Sequence, residues 1–182
     1  MALLDMMAEV GTTGGIGVLR CGAPLADIAA VLGPAEDLGR IDEPHLGSHR
    51  FFYGDVEFIV CRCRVVSAIH ISTWYDRPLK LPVPGANTVV SFPPRMTYRQ
   101  VTSALDAIGC PWRLDTRVPD TQVTVLTEPA ADSWASFTFA SIETSDDPAL
   151  DEPRLYSVGA WTVLHECPPI SVDPPDHNSG LY

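Results

Sequence analysis

The residues best suited to metal chemistry are Cys61 and Cys63, a Cys-x-Cys pair with His70 a short distance further along the chain. Structural zinc normally needs four ligands, usually supplied as two such pairs. The sequence offers one pair at this point, and it falls where a hairpin turn is predicted. We therefore expect partly buried thiols here, no metal ligands, and only ordinary packing losses on replacing either cysteine.

The other thiols indicate a reducing compartment rather than a disulfide framework. Their number is odd and their spacing irregular, at Cys21, Cys61, Cys63, Cys110 and Cys167. The first residues include Asp5 and Glu9 and no basic segment, unlike a Sec signal peptide. No apolar run reaches the ~18 residues that a membrane-spanning helix requires. These features predict a cytoplasmic protein with reduced thiols and no membrane partner.

Patterns for nucleophilic catalysis or cofactor binding are missing from the sequence. There is no G-x-S-x-G elbow, and Cys110 follows a predicted helix end, where no helix dipole lowers a thiol pKa. His45 and His49 fall in a turn-rich segment, so their spacing places them on no common helix face. The stretch "GTTGGIG" lacks the lysine of a P-loop and a preceding apolar strand. We expect no catalytic residue and no cofactor.

Aromatic residues suggest a protein-binding surface. Trp74, Tyr75 and Asp76 fall where a predicted strand ends. In "SWASFTFAS", Phe137 and Phe139 share one face of a strand, so Trp134 lies on the opposite face. Tryptophan and tyrosine are frequent anchors of protein interfaces. The simpler alternative is that both tryptophans complete the core.

Acidic residues are concentrated towards the C-terminus. The net charge is −11, and the residues from Asp120 onward include eleven acids and one base, Arg154, a balance of −10. This charge argues against nucleic acid as a direct partner. It fits either a solvated face or a docking surface for a basic protein. In the second case the candidate contacts are in the loop "ETSDDPALDEP", at Asp146, Asp147, Asp151 and Glu152.

Two stretches predict the same kind of element. "PLADIAAVLGP" and "YRQVTSALDAIGCP" are both short amphipathic helices that end in Gly and then Pro. Ile28 corresponds to Val101, and Leu32 to Leu105, both at an offset of 73 residues. Alternating apolar segments follow each helix. We predict an α+β fold of two helix-on-antiparallel-sheet units in tandem that share one sheet. The alternative is a chance likeness of two common α+β units.

The predicted organisation is one compact domain with five parts. They are a lead-in over 1–15, a first helix and strand unit over 16–76, a Pro-rich connector over 77–94, a second unit over 95–166 and a flexible tail over 167–182. In the first unit, "PAEDLGRIDEPHLGS" is expected to be loop, and "HRFFYGDVEFIV" and "RVVSAIHIST" an antiparallel pair. In the second, Thr97 is the expected N-cap of the helix, and three strands follow it.

The tandem order, with Leu32-Gly33-Pro34 after one helix and Ile108-Gly109-Cys110-Pro111 after the other, resembles the beta-lactamase inhibitory protein family. The single unit is also similar to small outer-membrane assembly lipoproteins. The strand pair in "YGDVEFIV…VVSAIHI" resembles that of small bacterial immunity proteins. The resemblance implies a protein that acts by binding a partner on an open sheet face. The chain departs from the inhibitor family in lacking a signal peptide and a disulfide pattern.

The function expected from these features is a non-enzymatic cytoplasmic binding protein. Its sharpest form is an immunity or inhibitor protein whose acidic half covers a basic site on a toxin or enzyme. A structural or regulatory subunit of a larger assembly is the main alternative. An enzyme that uses the open sheet face for a small molecule is the third.

Overall fold

A computed structural model describes residues 2–41, 47–73, 77–83, 88–93, 95–117, 122–141, 152–163 and 167. Three helices lie in the described chain: α1 (Leu3–Thr13), α2 (Leu25–Leu32) and α3 (Tyr98–Ala107). The strands are β1 (Gly15–Ile16), β2 (Leu19–Arg20), β3 (Glu36–Arg40), β4 (His49–Tyr53), β5 (Val56–Val60), β6 (Val66–Ser72), β7 (Leu79–Val83), β8 (Thr88–Phe92), β9 (Trp112–Leu114), β10 (Gln122–Ala130), β11 (Ser133–Ala140) and β12 (Arg154–Thr162).

Eight strands form one antiparallel sheet in the order β3-β4-β5-β6-β12-β11-β10-β9. The strands from the first half of the chain occupy one end of the sheet, and those from the second half the other. The two groups join where β12 pairs with β6, with Val158 opposite Ile71. The fold is therefore mixed α and β around one large antiparallel sheet, as the sequence predicts at that level.

All three helices pack on one face of this sheet. The register places Val56, Ile71, Val158 and Phe137 side by side on four neighbouring strands, and all four are almost completely buried. On this face α1 and α3 meet, and the Tyr98 ring of α3 packs edge-on against Phe139. At the other end, α2 contributes Ile28 to the same core. The opposite face has no helix on it in the described chain.

Local signals explain where the helices begin and how closely they pack. The Thr97 side chain accepts a hydrogen bond from the backbone amide of Gln100, and Gln100 Oε1 accepts one from the backbone amide of Thr97. The two bonds form a reciprocal capping box. The predicted N-cap of α3 is therefore confirmed. Gly11 lets α1 approach α3, because a Cβ there would lie 2.5 Å from a methyl carbon of Leu105.

The lead-in over 1–15, predicted to be helical or loose, contains helix α1, which belongs to the core. Met6, Met7 and Val10 of α1 are buried, and α1 packs against α3 and β10 of the second half. The loop expected over 34–48 contains a strand, β3, which pairs with β4. The segment "HRFFYGDVEFIV", expected as one strand, turns at Gly54–Asp55 into two, β4 and β5. The local sequence did not predict these strands, because each is defined by its hydrogen bonds to a neighbouring strand.

The Pro-rich connector contains a hairpin. Strands β7 and β8 pair with each other, and Leu79 and Leu81 are buried in the common core. Asp55, in the turn between β4 and β5, fixes this hairpin: its carboxylate accepts hydrogen bonds from the Lys80 amide at 2.7 Å and from Arg77 at 2.9 Å. The segment is thus packed against the first half of the sheet.

Candidate functional site: an open sheet face and a cysteine cluster

Two tryptophans form a stacked pair on the helix-free side of the sheet. Trp134 of β11 lies directly opposite Trp161 of β12, with ring centroids 6.3 Å apart and ring planes 25° from parallel. Trp134 is half-buried and Trp161 is 37% exposed. An aromatic pair of this kind stabilises a sheet by ~0.5–1.5 kcal/mol beyond its buried area. It also leaves a broad apolar surface in contact with water.

The side chains around the pair define what we call the open face. Its members are half-buried or exposed and alternate with buried core residues along each strand: Arg50, Phe52, Glu57, Ile59, Ala68, His70, Ser72, Trp134, Ser136, Thr138, Ser157, Gly159 and Trp161. Most are apolar or carry a hydroxyl group. On β10 the same side is closed, because Thr124 and Leu126 are buried there. The open face therefore extends from β4 to β11.

Gly159 leaves room for the Ser136 side chain on the open face. A Cβ at this position would lie 3.0 Å from Ser136 Oγ and 3.8 Å from Trp161 Cζ3. The neighbouring residues across the strands are His70 and Ser136, both polar. The face can therefore accept a flat apolar group against Trp161, with polar side chains beside it.

Charge on the open face is nearly balanced. Glu57 Oε1 forms an ion pair with Arg50 Nε at 2.9 Å. Both side chains are partly exposed, and such a pair contributes at most ~1 kcal/mol. Recognition at the described part of this face would therefore depend on apolar and hydroxyl groups more than on charge.

The predicted partner-binding residues divide into two groups. Trp74, Tyr75, Asp76, Asp146, Asp147 and Asp151 lie outside the described residues. Trp134 lies on the open face, opposite the buried Phe137 and Phe139, as the alternation in its strand predicts. Glu152 is not beside it. Its Oε1 atom accepts a hydrogen bond at 3.0 Å from the backbone amide of Arg99, at the start of α3 on the other side of the sheet.

The sequence prediction did not include Trp161. The residue lies in "RLYSVGAWTVL", which was predicted as a strand, and alternation from the buried Val158 and Ala160 places Trp161 on the outer side. Its contact with Trp134 depends on the register between β11 and β12. That register includes a bulge between Thr138 and Phe139 and cannot be taken from one strand alone.

A second cluster brings together three thiols. The Sγ atoms of Cys61, Cys63 and Cys167 all lie within 4.8 Å of one another. Cys61 is buried, and the other two are half-buried. None of the five cysteines, all of which lie in the described chain, is disulfide-bonded. The sequence prediction considered Cys61 and Cys63 as a pair and did not place Cys167 beside them.

The β5–β6 hairpin turn holds two of these thiols. The Cys61 amide donates to the Val65 carbonyl, and the Arg64 amide donates to the Cys61 carbonyl, both at 2.9 Å. Arg64 has a φ of 63°, the left-handed conformation that closes this tight turn. Arg62 Nη2 donates to the Cys167 carbonyl at 2.5 Å, which fastens the chain after β12 to the turn.

Contacts within the cluster shift the pKa values of two of its thiols. A hydrogen bond with the Cys167 thiol, followed by burial, raises the pKa of Cys63 to about 11. Burial acts to raise the pKa of Cys167, but hydrogen bonds from Cys63 and other neighbours outweigh it and lower that pKa. The contact between the two thiols therefore raises the pKa of Cys63 and lowers that of Cys167.

Other thiols show a contrasting environment. Burial raises the pKa of Cys21 to about 12 and also raises that of Cys110. Cys110 Sγ contacts the Gly11 carbonyl oxygen at 3.4 Å, within the contact between α1 and α3. These two thiols are inert packing groups at neutral pH, because the thiolate is the reactive form.

Comparisons with protein-family models, curated proteins and solved structures found no match for this chain. Within the described residues, no helix has the length and apolar character that crossing a membrane requires. Any account of function therefore starts from the two clusters themselves.

Proposed function

We propose that this chain is a non-enzymatic binding protein that holds a partner protein against the open face. The observation that carries the proposal is the stacked, partly exposed pair of Trp134 and Trp161 on a sheet face that carries no helix in the described chain. Interface hot spots are enriched in tryptophan and lie near the centre of the contact, surrounded by residues that exclude water. Small neighbours such as Gly159 and Ser136 suit that arrangement.

The proposed partner has a basic surface, and the proposed role is that of an immunity or inhibitor protein. The support is the balance of −10 from Asp120 onward. A basic patch is what an enzyme needs to hold a nucleic acid substrate, and an acidic cover would speed association as well as block that patch. A structural or regulatory subunit of a larger assembly is the competing proposal, and the same experiment separates them.

We further propose that the two halves are tandem copies of one helix-and-sheet unit, as in the inhibitor family that the sequence resembles. The strand order supports this idea. Helix α2 precedes β3 to β6 and helix α3 precedes β9 to β12, and the order runs inward from both sheet edges to β6 and β12. Helix α1 and the β7–β8 hairpin stand outside such a repeat.

The test begins with affinity capture from the native cell, with the partner identified by mass spectrometry. Binding kinetics then compare wild type with Trp134→Ala and Trp161→Ala. If the pair is a hot spot, each variant should weaken the free energy of binding by ~2 kcal/mol or more, mainly through a shorter lifetime of the complex. Val31→Ala is the matched control, because Val31 is 37% exposed on α2, on the helix-covered side.

The acidic contribution is tested on the association rate. Changing Asp146, Asp147 and Asp151 together to asparagine should slow association and reduce its salt dependence. Glu152 is left intact, since it contacts the start of α3. Unchanged lifetimes in both tryptophan variants would refute the open face as the docking site. A single basic effector among the captured proteins favours the immunity role, and several stoichiometric partners favour the assembly subunit.

A further inference from the structure

The three-thiol cluster carries an inference that is independent of the proposed function. Cys61 and Cys63 come from the β5–β6 hairpin turn, and Cys167 comes from the chain beyond β12. Cysteine side chains brought together from distant parts of a sequence, without a disulfide, are a typical metal-binding arrangement. We propose that Cys61, Cys63 and Cys167 bind one Zn²⁺ ion.

The geometry suits zinc. Zn–S bonds are ~2.3 Å long in a tetrahedral site, so two sulfur ligands lie ~3.8 Å apart. The present separations, all within 4.8 Å, need to shrink by no more than ~1 Å. The Cys63 and Cys167 side chains are half-buried and not locked into the core, so small rotamer changes suffice. A fourth position remains for water or another donor, as in zinc sites with three protein ligands.

The chemistry of the donors selects the ion. Thiolates are soft ligands and favour Zn²⁺ over the hard cations Mg²⁺ and Ca²⁺, which take oxygen ligands. Three thiolates and one Zn²⁺ carry a net charge of −1. Arg62 precedes Cys63 in the sequence, and its guanidinium already contacts the Cys167 carbonyl. The turn therefore supplies positive charge beside the proposed complex.

Metal binding would have a structural consequence. It would fasten the chain after β12 to the β5–β6 turn, where the described contact is the hydrogen bond from Arg62 to Cys167. Zinc bound only by the folded protein raises its melting temperature by mass action. The site would thus hold the chain that follows β12 against the turn that precedes β6.

The test uses the full chain, purified with a reductant and then freed of metal. Zn²⁺ is titrated against a chromophoric chelator, and Co²⁺ is added separately as a spectroscopic probe. We expect one zinc per chain, a higher melting temperature with zinc, and a thiolate-to-cobalt charge-transfer band. Cys61→Ser, Cys63→Ser and Cys167→Ser should each weaken zinc binding at least ~10-fold, the least that loss of even an outer-shell partner commonly costs.

Matched controls keep the outcome clear. Cys21→Ser and Cys110→Ser remove thiols outside the cluster and should bind zinc like wild type. Circular dichroism checks that each variant folds, and Cys167→Ser is the decisive variant because Cys167 lies outside β12 and outside the described core. Zinc uptake that is substoichiometric or equal in all five variants would overturn the proposal. So would a disulfide within the cluster that persists under reductant and prevents metal uptake.

Discussion

At the scale of single residues, three side chains satisfy the first amides of α3. Thr97 and Gln100 form the capping box, and Glu152 accepts from the Arg99 amide. The sequence predicted the cap at Thr97, because the Thr-x-x-Gln spacing is local. It assigned Glu152 to a partner contact and did not predict this hydrogen bond, since nothing in a linear sequence shows which helix end a loop carboxylate will meet. Glu152 thus stabilises a helix terminus, where negative charge is favourable.

The capping box makes a measurable prediction. Thr97→Ala leaves the Gln100 amide without its side-chain acceptor, so the free energy of unfolding should fall by ~1 kcal/mol, the usual loss for an N-cap threonine. Urea denaturation followed by circular dichroism measures the change. Ser103→Ala, at an exposed position inside the same helix, is the control and should have no effect or a slightly stabilising one, because alanine is the better helix former. Equal losses in both variants would contradict the capping role.

Local sequence patterns also failed to show the tertiary contacts of the two candidate sites, the thiol cluster and the tryptophan pair. Cys61 and Cys63 are visible as a pair in the sequence, but Cys167 is not connected to them by any local pattern, and 105 residues separate it from Arg62. Likewise, Trp134 was assigned to the open face by alternation, whereas its stacking partner Trp161 required the register between two strands. Residue types and spacing therefore indicated two of the three thiols and one of the two tryptophans, and tertiary contacts supplied the others.

At the scale of elements, the sequence predicted well those with strong periodicity and clear ends. Helices α2 and α3 end before Gly-Pro or Gly-Cys-Pro, and strands β10, β11 and β12 alternate clearly. For "MALLDMMAEVGTTGG" the sequence left a helix or a loose segment open, because its last residues are glycines and threonines, and it did not predict that α1 belongs to the core. Strand β3 was missed because "EDLGR" is polar, and only its pairing with β4 makes it a strand.

Because of the contact between α1 and α3, replacing a helical glycine with alanine should here lower the stability of the protein instead of raising it. Gly11→Ala should improve helix propensity in α1 by up to ~1 kcal/mol. The new methyl group would lie 2.5 Å from the Leu105 side chain, which is completely buried, so overpacking should instead destabilise the protein by ~1–3 kcal/mol. Thermal unfolding compares this variant with Thr12→Ala, an exposed position in the same helix. A stabilised Gly11→Ala protein would show that the two helices separate readily.

At the scale of the whole molecule, the halves of the chain are interleaved. Strand β12 of the second half pairs with β6 of the first, and helix α1, at the N-terminal end, packs on α3 and β10 of the second half. The buried residues form one core cluster with members from both halves. Element order along the chain suggested two adjacent units, but it did not show that the first helix packs against the second unit.

This interleaving predicts how the protein responds to a cut in the middle of the chain. A specific protease site inserted between Val83 and Thr88 would divide the sequence near its centre, between the two strands of the small hairpin. The fragments should remain associated under native conditions and unfold in one cooperative transition, because the first fragment carries both α1 and β6. Size-exclusion chromatography and calorimetry of the cut protein measure this, with the uncut protein carrying the same insertion as the control. Two separating fragments, with the second retaining its own fold without α1, would contradict a single shared core.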